Sequence, residues 1–176
     1  MKRFMLPLVA LAGLAGLAAQ PAVAQPSPTP MLDVIPDKMP FDIPYGTAIS
    51  VERAEAVIAA AAAEAKKHDW KMNITVVDTN GDLVAFQRMD GAQLASIEVS
   101  QHKARTAARY RRETKAFENG MQGGLVYQLT LDGVIGSRGG IPLVEGGKLI
   151  GAIGLSGGAG SQDEVCAKAG AAVINK

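Results

Sequence analysis

The residues able to do chemistry are few and scattered: one cysteine, Cys166, two histidines, His68 and His102, and a serine inside a glycine-rich run. Gly154-Leu155-Ser156-Gly157-Gly158 matches the G-x-S-x-G elbow that exposes a nucleophilic serine between a strand and a helix. That elbow needs a downstream histidine as its base, and none follows Ser156. Nothing beside His68 or His102 supplies another order of the triad. A serine hydrolase is disfavoured. The two histidines are far apart, no H-E-x-x-H occurs, and one cysteine adds no zinc ligand set. Gly158–Asp163 lacks the third glycine of a dinucleotide fingerprint, and no Walker lysine stands at the right spacing. A single cysteine cannot form an internal disulfide. Cys166 falls in the first turn of the last expected helix, where a thiol pKa can drop, but a small buried apolar role is the preferred reading.

The stretch Gly139–Glu164 organises the elements around these residues. Two apolar runs, Ile141–Val144 and Leu149–Leu155, flank Gly146-Gly147, which is a hairpin signal. Gly151 and Gly154 inside the return run mark the close approach of another backbone or a ligand. Ser161 and Glu164 have capping-box spacing, and Val165, Ala169 and Ala172–Val173 continue a helical pattern. Asp163 and Glu164 then serve as helix-start carboxylates that complement the helix dipole.

Ser50 is expected to cap a helix running to about His68, with Val51, Ala54, Ile58, Ala61 and Ala65 on one face. Met72–Asp78 and Leu83–Met89 read as antiparallel strands joined by a turn at Thr79–Gly81. A second helix is expected over Ser96–Tyr110. Its projection puts Ile97, Ser100, Ala104, Ala107 and Ala108 inward. Glu98, His102, Arg105 and Arg109 form the opposite, solvated stripe, and Lys103 and Thr106 lie on a flank between. Thr114–Gly124 is expected as a short helix and loop, and Leu125–Leu131 is ambiguous. Val134–Ser137 is expected as a further strand. This order suggests an antiparallel sheet with helices packed against it, an α/β (α+β) fold.

Lys2 and Arg3, the apolar run Phe4–Ala19 and the small residues Ala22-Val23-Ala24 mark residues 1–24 as a signal peptide, cleaved near Ala24. A periplasmic or secreted location follows. No later segment is long and apolar enough to serve as a membrane anchor. Loss of Lys2 and Arg3 leaves 16 basic against 17 acidic residues, a balance that gives no support for nucleic-acid binding. Residues 25–46 are a proline-rich N-terminal extension, expected to be extended and poorly packed, and 47–176 form one domain.

Five elements in register carry a resemblance. They are Val77-Asp78…Asn80-Gly81…Leu83, Arg88-Met89-Asp90-Gly91-Ala92, Lys103-Ala104-x-Thr106-Ala107-Ala108, Gly139-Gly140-Ile141-Pro142, and the Gly151–Gly158 run with Asp163-Glu164 and its helix. The chain resembles the GlcG/HbpS family of haem-degrading or haem-binding domain proteins over about residues 48–174. The resemblance implies a profilin-like α/β sandwich with a five-stranded antiparallel sheet, assembly into homo-oligomers, and a small-ligand site. Some members bind haem. It makes Arg88, Asp90, Lys103, Thr106, Thr114 and Gly140 the candidate ligand-binding residues.

An arginine at a strand end, an aspartate in the turn after it and a lysine on a helix flank offer donors and an acceptor to an anionic ligand such as a propionate. Arg105 is a further cationic anchor. For haem iron, His102 and Met89 are the axial candidates, although the projection turns His102 outward. The expected function is an exported small-ligand-binding protein, with haem the leading ligand. One alternative is an enzyme acting on a small organic acid or redox-active molecule, with Asp90 or Lys103 as acid or base. The other is an oligomeric sensory or structural partner. No metal site is expected.

Overall fold

The computed structural model describes residues 35–175. The expected signal peptide and the first part of the proline-rich extension lie outside the described residues. Ser50, in extended conformation, accepts a hydrogen bond from the Arg53 amide and starts α1, Val51–Lys67. Its alanine-rich face, from Ala54 through Ala61 to Ala65, is buried. Val51 stays exposed at the rim beside the second strand. The hairpin of β1 (Asn73–Val77) and β2 (Leu83–Arg88) turns where the Asp78 carboxylate accepts from the amides of Asn80 and Asp82, at 2.8 and 2.9 Å. Then follow α2 (Ser96–Tyr110), α3 (Thr114–Gln122) and a 3-10 turn over Val126–Thr130. A second hairpin, β3 (Gly140–Glu145) and β4 (Lys148–Ser156), leads into α4 (Gly160–Ala171).

The described strands form one sheet in the order β2-β1-β4-β3, antiparallel throughout. Because side chains alternate along a strand, its two faces differ in chemistry. Ile74, Val76, Ile141, Leu143, Ile153 and Leu155 meet α1 and α4 in the main core. The opposite face carries Thr75, Val77, Ala152 and Gly154 and lies under α2. That face is built for closeness. A Cβ on Gly154 would lie 2.2 Å from the Ser100 carbonyl oxygen and 2.4 Å from the Ala104 nitrogen, so the helix backbone rests directly on the strand. Both sides of the sheet are covered, which is why every residue of β1 is buried.

The α+β class holds, but among the described residues the sheet has four strands rather than five. Val134–Ser137 is not a strand. Amides within and just after it are taken by side chains instead of a ladder: Ile135 N–H donates to Thr106 Oγ1 at 3.2 Å, and Arg138 N–H to Glu118 Oε2 at 2.7 Å. The last helix also begins differently. It starts at Gly160, and Gln162 Oε1, not the side chain of Glu164, reaches back to the amide before the first turn, that of Ala159, at 2.8 Å. Cys166 therefore sits in the second turn, fully buried, and burial pushes its thiol up to about 11. The end of the extension is better packed than its composition suggests. Arg111 donates to the Ile43 carbonyl, Tyr45 O–H donates to the Arg109 carbonyl, and Pro44 and Gly46 pair with Leu149 at the start of β4. No helix among the described residues is long and apolar enough to cross a membrane.

Candidate functional site

The candidate residues divide between two places. Arg88, at the end of β2, and Asp90, in the turn after it, are exposed on a groove with Lys66, Lys71 and Gln87, of about 400 Å³. Met89, between them, turns into the main core yet still lines this groove. The alternation of a strand end accounts for the arrangement: two polar neighbours face out and the thioether faces in. Lys71 is paired with Asp69, while Lys66 closes the last turn of α1. The rim thus holds three cationic side chains and one carboxylate, and the largely buried Met89 lines the groove between Arg88 and Asp90.

Lys103 is elsewhere. Its Nζ donates to Asp163 Oδ2 at 2.7 Å, and the two side chains are 1% and 2% exposed. Its own backbone explains the enclosure. The Lys103 carbonyl oxygen lies 2.4 Å from where a Gly140 Cβ would stand, so the strand can reach the helix only with glycine there. Thr114 Oγ1 accepts from the Gly140 amide at 2.9 Å and pins the same spot from α3. Burial pushes the Asp163 carboxyl above its ordinary range; Lys103 and the amides of Gly158 and Gly157 pull it back. This is an internal ion pair closed to solvent.

A charged cluster surrounds that pair. Arg138 bridges Glu118 at 2.6 Å and Glu164 at 3.5 Å, and Glu164 also accepts from Lys168 and Lys115. The bond from Arg138 holds Glu118 below the usual carboxylate range. Burial opposes ionisation of Glu164, but the two lysines overcome it and leave its pKa lowered.

The polar stripe of α2 is not simply solvated. Thr106 Oγ1 donates to the Gly133 carbonyl at 2.9 Å, and His102 Nε2 lies 3.2 Å from the same oxygen. On the other side, Arg105 and Arg109 donate to the carbonyls of Gly81 and Asn80 in the β1–β2 turn. These residues fasten two loops to the helix. Ser156, in the elbow-like run, shares its hydroxyl with Ser96 at 3.1 Å, and His68 pairs with Glu64, so no catalytic serine is assembled.

A family model described as "Haem degrading protein HbpS-like" matches residues 49–172, which include every element of the sheet and its covering helices. The chain belongs to the HbpS-like family. Protein GlcG of Escherichia coli strain K12 is 44% identical over 108 residues, covering 61% of this chain and 81% of GlcG. The crystal structure of HbpS superposes with a TM-score of 0.68 at 29% identity, covering 77% of this chain and 96% of HbpS. PduOC, solved in complex with haem, superposes with a TM-score of 0.66 at 29% identity, over 73% of this chain and 96% of that one.

Within this HbpS-like frame, the structure brings Arg88, Met89 and Asp90 together and sets Lys103, Thr106, Thr114 and Gly140 apart from them. Sequence reasoning missed Lys66 and Lys71 as groove partners and Asp163 as the partner of Lys103. The lysines bracket the Asp69-Trp70 turn that brings the end of α1 beside β1, a signal visible only once α1 and the first hairpin are paired. Asp163 carried a local explanation, the helix start, which concealed a partner 60 positions away.

Proposed function

We propose that this HbpS-like chain binds haem, with the groove of Lys66, Arg88, Met89 and Asp90 as its site. The supporting observation is that groove: a cationic rim with Met89 in its lining, on a fold whose relative PduOC was solved with haem. Propionates suit the rim, where guanidinium and ammonium groups form charge-assisted hydrogen bonds. Met89 offers the iron a weak, soft ligand. His102 is held against the Gly133 carbonyl and is the poorer axial candidate. The acid–base alternative loses Lys103, which is committed to Asp163 and sealed, and rests on Asp90 alone.

Two further proposals accompany this reading: the chain is exported on its first 24 residues, and it assembles into homo-oligomers. N-terminal sequencing of the exported protein and light scattering at micromolar concentration test them; an uncut leader or a clean monomer overturns the respective one.

Comparing hemin with metal-free protoporphyrin IX by equilibrium dialysis tests the site. Reversing the rim with Lys66→Glu and Arg88→Glu weakens both ligands by at least tenfold, or ~1.4 kcal/mol. Met89→Leu weakens hemin only. Equal affinities in all variants reject the groove.

A further inference from the structure

The two outer strands of the sheet, β2 and β3, end it in different ways. An open strand edge leaves main-chain donors and acceptors free to pair with another chain, and folded proteins block such edges. β3 is blocked. Pro142 brings no N–H, Asn175 Nδ2 donates to the Pro142 carbonyl at 2.9 Å, and Asn175 Oδ1 accepts from the Val144 amide at 2.7 Å. β2 has no such cover: among the described residues, no side chain bonds to the main chain of Leu83–Arg88. Its outward groups follow from the ladder. Met89 N–H donates to the Met72 carbonyl at 3.0 Å, and the next pair along is Arg88 with Asn73. Antiparallel bonding alternates, so Gln87 and Ala85 turn their main-chain groups to β1, while Arg88 and Phe86 turn theirs away from the sheet.

The side chains along this edge are exposed, and their order is self-complementary. Phe86 is 36% and Leu83 54% exposed. Val51 of α1, 57% exposed, flanks Phe86 on a groove of about 380 Å³ that Ile58 and Val84 also line. Asp82 and Arg88 stand three residues to either side of Ala85; both are exposed, and neither has an ion-pair partner among the described residues. A second copy laid antiparallel about Ala85 therefore sets each Asp82 beside Arg88 of the partner subunit, with the apolar strand centres between them. A parallel copy opposes like charges instead, which is destabilising across strands. Moving the axis to Val84 or Phe86 loses the pair, and at Phe86 it also opposes Asp82 with Asp90.

We propose that β2 is the edge through which two copies of this chain join, antiparallel about a two-fold axis at Ala85, so that their four-stranded sheets become one. The contact is isologous, the same edge on both subunits. It rests on the homo-oligomer proposed above and names its interface. Arg88 then serves both this pair and the rim of the haem groove, so the contact is tested without hemin.

Light scattering on the full chain at micromolar concentration reads it. Asp82→Arg keeps the main-chain bonds of the β1–β2 turn but sets two arginines together at each end of the contact, and lowers the mass at least twofold. Phe86→Pro removes an outward N–H and no bond to β1, and does the same. Exchanging the charges, Asp82→Arg with Arg88→Asp, restores the wild-type mass, a rescue that a misfolded variant cannot give. At the axis Ala85 faces its own copy as a non-hydrogen-bonded pair, with Cα atoms about 4.5 Å apart. That spacing suits a disulfide, so Ala85→Cys in a Cys166→Ala background forms a covalent dimer on mild oxidation. Lys148→Cys, exposed at the other hairpin, does not. A wild-type oligomer whose mass is unchanged in Asp82→Arg and Phe86→Pro overturns this interface and leaves the homo-oligomer standing. A charge exchange that restores nothing, or an Ala85→Cys chain that fails to cross-link, also overturns it. A wild-type monomer overturns the interface and the homo-oligomer together.

Discussion

Lys103 and Asp163 form a charge pair that water does not reach, and such a pair has an asymmetric energy. The attraction roughly offsets desolvation while both partners are present, but removing one strands the other. Lys103→Met is expected to cost ~3–5 kcal/mol, read from urea denaturation, because Asp163 is left buried without its partner and must stay unpaired or take up a proton. Pairing it with Asp163→Leu should restore most of that loss. A double variant no better than the single would mean that the pair contributes through something other than its mutual charge. The sequence showed half of this arrangement. The helical projection placed Lys103 and Thr106 beside the inward face of α2, and both are buried. It could not show that α3 and the Gly139–Gly140 backbone close over them, since those contacts join segments far apart in the chain. Arg88 and Asp90 were legible as a charged strand end; their separation from Lys103 was not.

Among the elements, α2 and β4 define the fold's tightest layer. Gly154→Ala puts a methyl group into the backbone of Ser100 and Ala104. Overpacking of this kind costs ~1–3 kcal/mol, or ~2–12 °C for a domain this size, visible in a melting curve. An unchanged melting temperature would mean that α2 does not rest on the strand as described. The glycines of β4 were readable as close approaches, and both hairpins and the inward faces of α1 and α2 follow the apolar spacing. α4 does not, because Val165, expected on its apolar face, is 44% exposed while Cys166, Ala167, Gly170 and Ala171 turn inward against the sheet and α1. The expected fifth strand failed for a local reason: Thr106 and Glu118 satisfy the amides that a ladder would have used. Composition cannot reveal that competition.

The cluster joining α3, the loop before β3 and α4 also sets an acid response. Glu118 and Glu164 have pKa values lowered from 4.5, so their contribution to stability is complete above about pH 4.5 and is lost as pH falls through the lowered values. Asp163, raised from 3.8, works in the opposite sense: its protonation favours the folded state, and its contribution is lost as pH rises through the raised value. Glu118→Gln should lower the melting temperature at pH 7 yet make its decline between about pH 5 and pH 3 shallower. A decline as steep as in the wild type would take Glu118 out of the acid response.

At the scale of the whole molecule, the sheet is covered on both faces, and the proposed haem groove lies at its β2 edge, where strand end and α1 meet. The α+β class and the family were legible in the sequence; the groove's lysines required the packing of the helices. The central claim is that haem binds at the Met89 groove. Hemin titrated into the full chain should give a saturable Soret shift at a fixed stoichiometry, with a dissociation constant in the micromolar range, equivalent to ~8 kcal/mol. The shift should collapse in the Lys66→Glu, Arg88→Glu variant and persist in His102→Ala. An unsaturable spectrum matching hemin with an unrelated protein, or a sharp low-spin spectrum that only His102→Ala abolishes, would contradict the account.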